Sequence, residues 1–180
     1  FFFILLCPLL TMRLFAEEQK MGTLELLLTA PVRDWEVVVG KYIASLAALA
    51  ITISFTIYYV VILYWFGDPD SGPLFSAYIG LFLYGAAALA VGIMASSLSS
   101  NQITSAVVGV GILMPLSFAD VVADRVTGVA SRILDGLSMG SHFADFTRGV
   151  LDTGNIVYYV SMVVVFLFVA IRVLETRRWR

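Results

Sequence analysis

The sequence predicts an all-α, polytopic transmembrane helix bundle, and three observations lead there. Of its 180 residues, 60% are hydrophobic, only 13% are charged, and the apolar residues gather into uninterrupted runs. A soluble domain carries about 45–50% apolar and about 25% charged residues. Mean hydropathy is +0.94, and several runs reach the roughly 20 residues that cross the hydrocarbon core of a bilayer. Lipid is therefore the expected solvent, and length counts spans rather than soluble domains.

The first run, FFFILLCPLLT, has 11 residues before Met12 and Arg13, which is about half a span. It opens on Phe1 and has neither the basic start nor the small-residue cleavage site of a signal peptide. It reads as a partial span, residues 1–11, of a longer protein. Residues 12–41 form a charged connection. Full spans are expected at about 42–66, 76–98, 103–122 and 156–172. The third contains Pro115 and meets its first charge at Asp120; the fourth closes at Arg172. SSLSSNQ separates the middle pair as a tight polar turn, and Pro69 to Pro73, with Gly and Asp around it, is likewise expected as a loop. Four full spans and a partial first one make a single membrane domain over residues 1–180.

Lys and Arg are retained on the cytoplasmic flanks of spans. Arg13, Lys20, Arg33, Lys41, Arg172, Arg177, Arg178 and Arg180 fall on one side, against Arg125, Arg132 and Arg148 on the other. The expected topology is multi-pass with the C-terminus in the cytoplasm. Tyr58, Tyr59, Tyr64 and Trp65, Tyr158 and Tyr159, and Trp35 and Trp179 fall near the predicted interfaces, where aromatic rings anchor.

Composition also excludes functions. A net charge of −2 gives no electrostatic case for nucleic acid. No Asp, Glu, His or Arg lies near a span centre, so coupling to an ion gradient has no titratable group to use. No GxxxxGK[ST] phosphate loop is present, so any ATP-driven work needs a partner, and ATP and magnesium would be held there. No cofactor is expected in the chain itself. Cys7, a lone cysteine in an apolar run, reads as a small buried hydrophobe.

Gly80, Gly85, Ala88, Gly92 and Ala95 recur at spacings of three to five along the second full span. Small residues at this spacing let another helix approach closely. The face serves either packing within the bundle or a seam between two copies.

Two segments could carry chemistry or contacts. GLSMG at 136–140 matches the GxSxG nucleophile pattern, with His142 two residues on, yet its flanks read as amphipathic helices rather than the strand and helix that the elbow needs. Val126, Val129, Ile133, Leu134 and Leu137, then Phe143, Phe146 and Val150, recur at helical spacing, so 123–155 is expected to lie on the outer interface or dip into it. The second segment is the connection 12–41. Gly22 interrupts it, Pro31 ends TLELLLTA, Thr23 can cap that short helix, and Glu25 sits in its first turn, where the dipole favours it. Leu24, Leu26, Leu27 and Leu28 are too apolar for an idle solvated helix and call for a membrane, a neighbouring helix or a partner's groove.

This connection resembles the ABC-2 family of transporter permeases, whose members carry a Glu-rich entry, a GTxExLLxxPV core and a following GK. Here those elements read Glu17, Glu18, Gly22, Thr23, Glu25, Leu27, Leu28, Pro31, Val32, Gly40 and Lys41. The ending SHFADFTRGVLDTGNIVYYVSMVVVFLFVAIRVLETRRWR is similar to the subgroup of gliding-motility-associated permeases. The resemblance covers essentially the whole chain. It implies a six-span permease of a bacterial or archaeal inner membrane, lacking here the first span and half of the second. It implies a coupling helix within 22–31, with Glu17, Glu18, Gly22, Thr23, Glu25, Leu26, Leu27, Leu28 and Pro31 at the interface to a separate ATP-binding subunit. It further implies a second permease copy or a related permease, and short re-entrant helices before the last span. The chain itself is then no enzyme. A rival reading, from another class, is a non-transporting scaffold that recruits cytoplasmic partners through the same segment.

Overall fold

The computed structural model describes residues 1–23 and 33–178, and among them every regular element is a helix. In chain order these are α1 (Phe2–Thr11), α2 (Arg13–Lys20), α3 (Asp34–Phe66), α4 (Ser71–Leu98), α5 (Gln102–Ser117), α6 (Ala119–Ala123), α7 (Val129–Leu137), α8 (Met139–Thr147) and α9 (Thr153–Arg178). Three of them, α3, α4 and α9, are long and apolar enough to cross a membrane, and α5 is a shorter apolar helix. The fold is an all-α polytopic membrane bundle.

Short polar side chains set the helix starts. Asp70 accepts from Gly72 N at 3.1 Å and opens α4; Asn101 accepts from Ile103 N at 2.9 Å and opens α5. These are side-chain caps for N–H groups that a helix start leaves unpaired. The helix containing 42–66 begins two turns earlier, at Asp34, where the Glu36 carboxylate accepts from Arg33 N at 3.0 Å. At 1.5 Å per residue its 33 residues run roughly 50 Å, more than the roughly 30 Å core needs. Its charged first turns therefore stand clear of hydrocarbon. Pro115 lies in the last turn of α5, which stops at Ser117; a separate short helix, α6, carries the chain on through Asp120.

At the centre stands α4. It packs against α1, α2, α3, α5, α8 and α9, most extensively against α9. Its stretch 84–97 is buried without a break, and it is mostly Ala, Gly and Ser. Only small side chains let so many helices reach one axis, and in lipid such close backbone approach replaces the hydrophobic drive between helices. By contrast α3 and α9 expose many apolar residues, among them Ile51, Phe55, Val164 and Phe168, on the outside of the bundle.

Candidate functional site

The connection after α1 and the helix it leads to are the residues the sequence singled out, and α2 is fastened to the bundle by side chains and backbone of α4 and α3. Its own N-cap, Met12, offers no side-chain oxygen. Ser96, from the last turn of α4, supplies one instead: its Oγ accepts from Phe15 N and Ala16 N, each at 3.1 Å, and donates to the Met12 carbonyl at 3.0 Å. Gln19 Nε2 donates to the Ser97 carbonyl at 3.0 Å. From α3, Lys41 Nζ reaches Glu18 Oε1 at 2.6 Å and the Leu14 carbonyl at 2.8 Å. Phe15 and Ala16 are fully buried under this arrangement.

Gly22 then ends α2 with φ at +71°, a left-handed conformation that side chains disfavour and glycine accepts. Thr23 donates its hydroxyl to the Glu18 carbonyl at 3.3 Å. Glu17 lies half-buried on α2. Glu25, Leu26, Leu27, Leu28 and Pro31, the remainder of the expected interface, lie outside the described residues, as does the short helix the sequence expects there.

The small-residue face of α4 is occupied by helices of the same chain. A Cβ on Gly85 would stand 2.7 Å from Leu49 Cδ2 of α3, one on Gly92 would meet the Thr11 hydroxyl of α1, and one on Gly80 would stand 2.6 Å from Phe146 of α8. Ala88 and Ala95 are buried on the same helix.

GLSMG has the geometry of a cap. Ser138 is fully buried; its Oγ accepts from Gly140 N at 3.1 Å and Ser141 N at 3.3 Å, opening α8, and donates to Asp120 Oδ1 at 3.1 Å. His142 Nδ1 lies 2.7 Å from the Ser138 carbonyl, not from its hydroxyl, and the imidazole stacks on Tyr158 with centroids 3.9 Å apart. A general base must reach the proton it takes, and here the Ser138 hydroxyl donates to the Asp120 carboxylate while the imidazole holds backbone. Of the amphipathic pieces, α7 has no buried residue, whereas α8 dips into the bundle with Met139 and Phe146 fully buried and the Phe146 carbonyl accepting from Ser76 Oγ at 2.8 Å.

Between α1, α3, α4, α5 and α8 lies an apolar cleft of about 440 Å³. Its hydroxyls are already engaged: Thr52 with the Ala48 carbonyl, Thr56 with the Ile53 carbonyl and Tyr78, and Tyr84 with Ser117 at 2.6 Å. What remains for a guest is an apolar, aromatic wall that includes Phe3 and Phe143.

The family model described as ABC-2 family transporter protein matches residues 1–179. The chain belongs to the ABC-2 transporter family. Two curated relatives, each called a probable multidrug ABC transporter permease, YbhR, come from Escherichia coli K12 and Escherichia coli O157:H7. Each is 31% identical over 99 residues, which is 55% of this chain and 26% of the relative. The aligned stretch thus spans about a quarter of the curated relatives' length. No solved structure matches the chain. As an ABC-2 chain it is a membrane subunit, and the resemblance first visible around Gly22 is a true family relationship. Ser96, Ser97 and Gln19, which hold α2 in place, were not among the residues the sequence pointed to.

Proposed function

We propose that this chain is the membrane-spanning part of an ATP-binding cassette transporter, with the end that carries α2, the α4–α5 turn and the C-terminus facing the cytoplasm. A separate ATPase subunit, holding ATP and magnesium, docks on the segment 17–31. A second permease, identical or related, completes the unit. The cargo is apolar or amphipathic: the long helices carry no charge near their centres, the cleft beside Tyr84 offers an apolar wall, and the relatives named above are each called a probable multidrug permease. The gliding-motility subgroup belongs to the same proposal.

The observation that carries the reading is family membership along nearly the whole chain. The fastening of α2 agrees with it, because a helix joined to α4 and α3 can pass motion from a docked subunit into the bundle. The test is capture of soluble partners by the full-length protein in mild detergent, with and without Leu27→Asp, which would put a charge on the proposed docking face. Recovery of an ATP-binding subunit, lost in the variant, is expected. Recovery of other proteins but no ATPase would replace this reading with a membrane scaffold.

A further inference from the structure

We propose that Ser96 is the joint through which displacement of α2 reaches the body of the bundle, and that without its hydroxyl α1 and α2 join into one continuous helix that no longer grips α4. The inference rests on the proposed docking of an ATPase after α2 and deepens it by naming where the motion enters the membrane part.

The argument starts from the accounting of backbone groups at a helix start, where N–H groups have no partner within the helix. In an unbroken helix Phe15 N would donate to the Thr11 carbonyl, four residues back. Here α1 stops at Thr11, α2 starts at Arg13, and Phe15 N donates to Ser96 Oγ instead. The same oxygen accepts from Ala16 N and gives its proton to the Met12 carbonyl, so its full hydrogen-bonding capacity is spent at the break. Side chains inserted at a helix ladder are a recognised cause of kinks.

Two features make this a switch point rather than a fixed corner. Met12 keeps right-handed helical dihedrals, φ −56° and ψ −29°, so little backbone rotation separates the broken from the continuous helix. Phe15, Ala16 and Ser96 are fully buried, so water cannot replace the hydroxyl; the alternative partner for Phe15 N is its own helix. A packed element with two discrete arrangements is what coupling between distant sites requires. The receiving helix is well chosen for it, since α4 touches α1, α3, α5, α8 and α9.

The test uses the full-length permease in lipid nanodiscs. Distances are read between nitroxide labels on Lys20→Cys and Ile103→Cys without the ATPase subunit, because position 20 lies within the proposed docking segment. Capture and ATP hydrolysis are read on unlabelled protein with the ATPase subunit added. Both positions are exposed and flank the polar cleft between α2 and the start of α5, while Cys7 is buried. Ser96→Ala is expected to lengthen the label distance and to reduce the permease's effect on ATP hydrolysis about fivefold or more, the lower end of coupling between sites, with capture of the ATPase unchanged. Ser96→Thr, which keeps the hydroxyl, restores both. Ser97→Ala is the control, because that hydroxyl bonds the Met94 carbonyl within its own helix. A wild-type distance in Ser96→Ala, or an equal change in Ser97→Ala, overturns the joint. Failure of every variant and of the wild type to capture an ATPase overturns the proposed function instead, while the distances still decide the joint.

Discussion

Lys41 Nζ stands 2.6 Å from Glu18 Oε1, so the Glu-rich entry to the connection and the Gly-Lys at its far end, 23 residues apart in sequence, meet in space. The ammonium also holds the Leu14 carbonyl and lies 5.0 Å from the centre of the Phe15 ring. Both side chains are largely shielded, 20% and 33% exposed, so water screens the pair less than it would a surface ion pair. The connection between α1 and α3 is thereby closed into a loop with a fixed base.

Lys41→Met is expected to lower stability by about 1–3 kcal/mol, because it removes a charged donor from two oxygens and leaves Glu18 shielded without its cation. Glu18→Gln should cost less, since an amide oxygen still accepts from Lys41. Thermal unfolding of the two single variants and the double variant in detergent checks this. The double loss should fall short of the sum, as it does for residues in contact; additive losses would mean that the two side chains act independently.

The glycines of the bundle should not behave alike. Gly92→Ala drives a methyl into Thr11, whose hydroxyl is tied to the Cys7 carbonyl at 2.8 Å inside the core, so a loss of about 1–3 kcal/mol is expected. Gly85→Ala meets only the end of the Leu49 side chain, which can turn aside, so its cost is smaller. Gly111 has open space at its Cβ, and Ala there gains helix propensity of up to about 1 kcal/mol. Ranked thermostabilities of the three variants test the helix packing; Gly92→Ala as mild as Gly111→Ala would contradict the contact with α1.

Gly22 supplies a second backbone test. Its φ of +71° costs an ordinary residue about 1–2 kcal/mol, whereas Asn tolerates it. Gly22→Ala should therefore weaken capture of the ATPase subunit while Gly22→Asn largely keeps it, and Gly22→Pro should abolish it. Equal capture by all three would show that the bend at the end of α2 does not set the direction of the segment that follows.

Much of this could be read from the sequence, and the reason lies in which signals are local. Runs of apolar residues announce helices in lipid, and the small residues of α4 announce close approach, because both depend on one segment at a time. Which helix meets Gly92 is not local, and the sequence left both packing within the bundle and a seam between copies open. SSLSSNQ shows the limit most clearly. Read as a polar turn that overlaps the end of the 76–98 span, it gives no sign that Ser96 and Ser97 are core residues; in the structure they lie in the last turn of α4 and are fully buried. The Ser96 hydroxyl is satisfied by backbone at the start of α2, some 80 residues away in sequence, which no local pattern can report, whereas that of Ser97 turns back to the Met94 carbonyl of its own helix. The start of α3 at Asp34 was hidden for a similar reason: polar first turns beyond the membrane carry no apolar signal.

The last prediction separates a cap from a nucleophile at Ser138. Ser138 opens α8 and holds Asp120, so Ser138→Ala should cost about 1 kcal/mol, the usual value of an N-cap. Phe146→Ala should cost more, about 3–5 kcal/mol, because its fully buried ring fills the notch left by Gly80 and packs on Tyr159. Transport by the assembled complex should survive Ser138→Ala in proportion to the amount of folded protein. A fluorophosphonate probe should leave Ser138 unmodified, since its hydroxyl is buried and donates to Asp120 rather than to His142. Covalent labelling at Ser138, lost in the alanine variant, would instead mean that α8 lifts out of the bundle and that the GLSMG segment is chemically active.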